Sequence, residues 1–262
     1  MSGAPSASAS TSSRAGSDFA VTFLRAAALW VVEPHATAPD GLVASRTHLA
    51  ILSAILLGIA AVGYLALSRP GAGAGSAAGA ALYMPLLAAE WGLFVYVRMG
   101  MKRRGVGVID VISARPPSLR SVALDLLLGL LLLGLWLGVE YLLDRLAGAP
   151  SSPAVQRLIV HDAADIPLWV LLALSAGFVE ELVFRGYMQR QFAALLRSPW
   201  LGVAAQAVLF GVTHGYQGGL PVLRITLFGL IFGLAALGRR SLIPGMVAHA
   251  AVDVIGGLAA LR

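Results

Sequence analysis

The chain contains no cysteine. That excludes disulfides and a thiol nucleophile, and leaves cysteine usage silent on the redox compartment. Charge is also scarce. Only 12% of the 262 residues are Asp, Glu, Lys or Arg, against about 25% in soluble domains. With 58% hydrophobic residues and a mean hydropathy of +0.82, the chain reads as an integral membrane protein. Acids are fewer than bases, 13 against 19, for a net charge of +6. In a soluble chain that excess would suggest nucleic acid. Here the bases sit in links between apolar runs, as topology determinants do, so no nucleic-acid partner is expected. Two catalytic signatures are missing: His-Glu-x-x-His on a helix and a Gly-x-Ser-x-Gly elbow. No internal repeat is evident. Lipid accepts only helices or closed barrels, and the fold class is all-α: a polytopic membrane protein of about seven transmembrane helices with a C-terminal four-helix core.

Residues 1–17 are rich in Ser, Ala and Gly and read as a disordered tail. Residues 18–145 form an N-terminal membrane region. Its first apolar run, Val21–Val32, is too short for a span of roughly 20 residues. Arg25 interrupts it, and Glu33-Pro34 stops it. It reads as an interfacial helix, although an eighth span from 18–33 would reverse the N-terminus. Three spans follow: His48–Leu67, Ala80–Val97 and Val122–Leu143. Residues 165–262 hold the core, with helices expected at Pro167–Leu196, Trp200–Tyr216, Leu220–Leu237 and Leu242–Leu261. The link 98–120 is the most basic in the chain. The ends near Arg190/Arg197 and Arg239/Arg240 fall on the same side and are also basic. The positive-inside rule then puts all three, and the N-terminus, in the cytoplasm. The expected location is the bacterial inner membrane.

The chemistry-bearing residues lie in the core. Gly177–Arg190 carries two adjacent carboxylates, Glu180 and Glu181, inside an apolar run. Ionisable groups at bilayer depth are costly and mark function. Arg185 is i+4 from Glu181 and shares its helix face. Glu181–Arg185 therefore reads as a structural pair, with Glu180 facing something else. Phe210 and His214 are similarly spaced, as are His249 and Asp253. Glu180 and His214 lie at matching distances from the Ser198-Pro199 turn, so they can meet side by side. The level of His249 depends on how far the fourth span projects beyond the membrane. A carboxylate and an imidazole can hold and deprotonate a water. A second imidazole with its acid can direct donors toward an oxyanion. The same His214, His249 and Glu180 could instead ligate Zn²⁺, and the sequence leaves that open. Glu90, Asp125 and Glu140 read as structural groups near span ends. His35, His48 and His161 read as solvated. Thr213 and Gln206 read as interhelical hydrogen-bonding groups.

Glu180-Glu181-x-x-x-Arg185, Phe210-x-x-x-His214 and His249-x-x-x-Asp253, each on its own hydrophobic helix, resemble the three motifs of the CPBP family. This family includes the CAAX prenyl endopeptidases and the bacteriocin-processing and immunity (Abi-like) membrane proteases. The resemblance covers residues 165–262 and implies an intramembrane endopeptidase. It implies that Glu180 and His214 activate water, that His249 and Asp253 stand where the oxyanion-stabilising pair stands, and that Glu181, Arg185 and Phe210 support them. The family often has Asn at the position of Asp253. Asn donates to an oxyanion, whereas ionised Asp does not. The family has been described both as zinc-dependent and as glutamate-dependent, so the resemblance leaves the metal open. The implied partners are the lipid bilayer and a membrane-associated peptide or protein. Two other readings remain: a proton or cation transporter, and a catalytically silent scaffold or immunity protein.

Overall fold

The computed structural model describes residues 40–67, 79–114, 118–148 and 153–261. The expected tail and interfacial helix lie outside these residues. Among the described residues the structure is all helical, with no named strand. Helix α1 is Arg46–Leu67, α2 Ala80–Lys102, α3 Val108–Ile112, α4 Leu119–Ala147 and α5 Pro153–Leu158. A continuous helical run then passes from α6, Ile166–Glu180, through a π-helical stretch, Glu181–Met188, into α7, Gln189–Leu196. Helix α8 is Pro199–Thr213, α9 Gly219–Arg239 and α10 Ile243–Leu258.

A helix forms at each of the seven expected spans. Five helical runs are long and apolar enough to cross a membrane: Arg46–Leu65, Ala80–Lys102, Leu119–Ala147, Ala163–Leu196 and Gly219–Arg239. Helices α8 and α10 are apolar but shorter. The protein is an integral helical membrane protein. Its outward apolar residues, such as Leu130, Leu131 and Leu135 on α4, suit contact with lipid.

Helix starts follow local chemistry. Ser118 and Ser198 accept from the backbone N–H groups of Ser121 and Leu201, satisfying donors that a first helical turn leaves free. Pro stands near the start of α6, α8 and α10, where its missing N–H costs nothing.

In the core, α6 packs on α10, α10 on α4, and α8 on α9. Small residues permit this. A Cβ on Gly177 would come within 2.8 Å of Ala250, so the two helices touch through backbone, as close packing in lipid requires. Gln206 is fully buried and donates to the Gly229 carbonyl at 2.8 Å, joining α8 to α9. Thr213 bonds within its own helix, to the Phe210 carbonyl at 2.7 Å.

The basic links meet one another: Arg190 donates to the Val111 carbonyl at 3.3 Å. Leu242 N–H donates to Ile112 O, and Ala114 N–H to Arg240 O. Arg239 pairs with buried Asp125 at 2.6 Å. At the other end of α4, Arg224 pairs with Glu140 and Asp144. Asp125 and Glu140 are thus structural, as expected. His48 is not solvated. It is buried, stacked on Tyr96, and bonded to the Tyr187 hydroxyl at 2.8 Å and the Tyr96 carbonyl at 3.0 Å. Three aromatic and amide partners, with Gln191 beside Tyr187, give a wet-looking residue a dry position.

Candidate active site

The adjacent carboxylates divide as the sequence suggests, on an unexpected backbone. The helix widens into a π-helical stretch at Glu181. Such bulges recur at functional sites. Glu181 and Arg185 are both wholly buried, with Arg185 Nη1 3.1 Å from Glu181 Oε1. No guanidinium nitrogen makes a well-angled hydrogen bond among the described residues, so charge and ring faces hold the cation. It lies 4.4 Å from the centre of Phe210, 5.6 Å from Phe228 and 5.9 Å from Phe232. Desolvated cation–π contacts of this kind contribute about 2 kcal/mol. Phe210 therefore forms part of the seat of Arg185.

Glu181 also orients a histidine. His249 donates from Nδ1 to Glu181 Oε1 at 3.0 Å. Its other nitrogen, Nε2, is 3.8 Å from Glu180 Oε2 and 3.5 Å from Asp253 Oδ2. The ring itself is buried, while the Glu180 and Asp253 side chains retain 23% and 32% exposure. The level of His249 is explained by Leu242, which lies against Gly186. The first helical run continues beyond that point to Leu196, so α10 starts deep beside it and brings His249 to Glu181. Gly245 is required nearby, because a Cβ there would come 2.8 Å from Glu181 Oε2.

His214 ends a helix rather than lying inside one. Helix α8 stops at Thr213, and His214 caps it at φ −97° and ψ 14°. Its Nδ1 donates to the Phe210 carbonyl at 2.8 Å, which meets the need of a carbonyl left open at a helix end. Neutral imidazole with a proton on Nδ1 presents Nε2 as an acceptor. Among the described residues no hydrogen bond or ion pair joins Glu180 to His214. Phe210 neighbours both imidazoles, with ring centroids 4.9 Å from His214 and 6.3 Å from His249.

This spacing bears on zinc. Among the described residues no three His, Asp or Glu side chains are grouped to hold a metal ion. The set His214, His249 and Glu180 is not gathered for that role: His249 Nε2 faces Glu180 and Asp253, and no hydrogen bond or ion pair among the described residues brings His214 to them.

Two residues join the site from outside the motifs. Glu90 lies in the middle of α2 rather than at its end. It is half-buried, its Oε2 has no hydrogen-bond partner among the described residues, and it feels the charges of Glu180, Asp253 and His249. Ser175 lies in bonding range of Glu90, although its Oγ makes no well-angled bond. Helix α2 docks here through Trp91 and Phe94 on Phe178. Tyr216, on the turn after His214, has its ring 6.1 Å from that of His214. Burial, and then the charges of Glu180 and Asp253, push the Tyr216 phenol above its ordinary value, against an opposing bond from Gln217.

Fold and site together define a polytopic helical membrane protein with an acid–imidazole centre among its last helices. Residues 162–255 match the family model for Rce1-like proteins, type II CAAX prenyl endopeptidase Rce1-like. That match supports the family resemblance read from the motifs, and the matched stretch holds all seven motif residues named above. No curated protein and no solved structure gives a significant match.

Proposed function

We propose that the protein is an intramembrane endopeptidase that cleaves a membrane-associated peptide or protein with a water activated by Glu180 and His214. The observation that carries this reading is the division of labour between the adjacent carboxylates. Glu181 is consumed by Arg185 and His249, whereas Glu180 keeps solvent access beside His249. In the reaction, water donates hydrogen bonds to Glu180 and to His214 Nε2. Its oxygen attacks the peptide carbonyl carbon as one proton passes to Glu180. The carbonyl oxygen takes the electron pair and is met by the Nε2–H of protonated His249, oriented through Nδ1 by Glu181. Collapse breaks the C–N bond, and Glu180 returns the proton to the departing amine. Asp253 keeps His249 Nε2 company on the open side.

The substrate expected from the family is a prenylated CAAX tail, and an unprenylated segment at the membrane interface suits the site equally. The bacterial inner membrane and a cytoplasmic basic face belong to this reading. A transporter would need a polar path continuing past Arg185, where Phe210, Phe228 and Phe232 pack closely.

The test is proteomics of peptide termini in cells expressing wild type, Glu180→Gln or Glu181→Gln at equal membrane levels. Glu180→Gln should abolish the specific termini while the protein stays folded. Termini unchanged in all three strains would sink the protease reading.

A further inference from the structure

Asp253 leaves a donor wanting. Ionised, it accepts hydrogen bonds and gives none, so the oxyanion side of the site has His249 Nε2 and needs a second donor. The turn that follows His214 supplies one. Gly215–Gln217 is a single 3₁₀ turn, and it carries Tyr216 back toward the site. The Tyr216 hydroxyl accepts a bond from Gln217 Nε2 at 3.1 Å. That uses a lone pair and leaves the hydroxyl's own proton to be placed. Among the described residues no acceptor takes it. The groups acting on the phenol are Glu180 and Asp253, with the His214 ring 6.1 Å away. The aromatic body is seated on α1: a Cβ at Gly63 would come 3.3 Å from Tyr216 Cβ. Position 63 lies outside the matched stretch 162–255, so a helix from the N-terminal region helps to hold Tyr216 beside His214.

We propose that Tyr216 is a catalytic hydrogen-bond donor of this site: its O–H, held by Gln217 and by packing on Gly63, binds the oxyanion alongside His249 Nε2. No proton is transferred, because the phenol acts as a fixed dipole where negative charge develops. Its upward-shifted phenol remains in the O–H form at neutral pH. The inference rests on the peptidase reading and explains how that chemistry proceeds with Asp at position 253.

The experiment compares full-length wild type, Tyr216→Phe, Asp253→Asn and the double variant in cells, by abundance of the termini that depend on Glu180. Tyr141→Phe is the control, since the Tyr141 hydroxyl, on α4, accepts from Arg145 and lies outside the site. Thermal unfolding in detergent checks that each variant folds. Loss of one oxyanion donor costs about 10²–10³ in kcat. Tyr216→Phe should therefore lower product termini to a few per cent or less, with melting close to wild type. Asp253→Asn should restore a large part of the loss in the double variant, because Asn can donate. With the substrates so identified, the purified variant should lose kcat and keep KM. Tyr216→Phe within twofold of wild type overturns the inference, as does a double variant no better than the single, or a loss confined to KM. If wild type and Glu180→Gln share the same termini, the peptidase reading itself has failed, and the role of Tyr216 falls with it.

Discussion

Replacing Arg185 with Met should be among the most damaging single changes to the stability of this protein. The guanidinium is wholly buried, 3.1 Å from an equally buried Glu181 carboxylate, and enclosed by three phenylalanine rings. Methionine fills much of the same volume but leaves Glu181 without its cation. Glu181 Oε2 already lacks a hydrogen-bond partner among the described residues, so the carboxylate would be left with the His249 Nδ1–H alone. Breaking one side of a buried pair costs about 3–5 kcal/mol. At about 2–4 °C per kcal/mol for a protein of this size, the melting midpoint should fall by roughly 6–20 °C. Removing both charges is different, since an apolar replacement of a buried pair is often neutral. Glu181→Leu/Arg185→Met should recover most of the lost stability. It should not recover processing, because His249 loses the acceptor for its Nδ1–H. Thermal unfolding of the purified protein in detergent, run with terminal proteomics, measures both effects. Arg185→Met within about 0.5 kcal/mol of wild type, or a double variant less stable than the single, would refute the buried-pair reasoning.

Gly245→Ala should impair processing more than stability, because the added Cβ comes 2.8 Å from Glu181 Oε2 and displaces the group that aims His249. The check is a lower kcat in a variant melting within a few degrees of wild type. Glu90→Met should stabilise the protein by about 1–3 kcal/mol, the range for removing a buried acceptor without a partner. An unfolding midpoint below that of wild type would contradict this. Tyr216 makes a prediction in pH. Its folded pKa is raised above the ordinary 10.0, so its stabilising contribution is complete below about pH 10 and is lost as pH rises through the folded value. Wild type should lose stability more steeply than Tyr216→Phe over that alkaline range. Parallel melting curves would show that the phenol has no such shift.

The three motif pairs were legible because each consists of polar groups isolated in apolar surroundings, where few alternatives compete. Glu181–Arg185 is the clearest case, since spacing alone identified the pair. The π-helical stretch was not legible. Its eight residues have ordinary helical composition, and the widening depends on what packs against Gly186 and Glu181 from α10. His48 was misjudged because its position near the start of a helix suggests solvent, while its partners Tyr96 and Tyr187 are distant in sequence. Glu90 reads as a structural group near a span end, although even the expected span Ala80–Val97 places it well inside. Helix α2, which continues to Lys102, keeps Glu90 central. Tyr216 carries a detectable signal in hindsight: an aromatic donor in a glycine-rich turn, two residues beyond a motif histidine.

The early end of α8 has a consequence for the scarcest reagent in such a reaction. Unwound backbone among apolar helices is tolerated only where it is enclosed by protein or lines a water-filled cavity. The turn at His214–Gly218 ends in a glycine at φ +105°, near two carboxylates that keep part of their surface open. A continuous helix there would have been drier and more stable. By stopping it, the chain leaves peptide groups that a water could satisfy, which the proposed hydrolysis within a membrane would need.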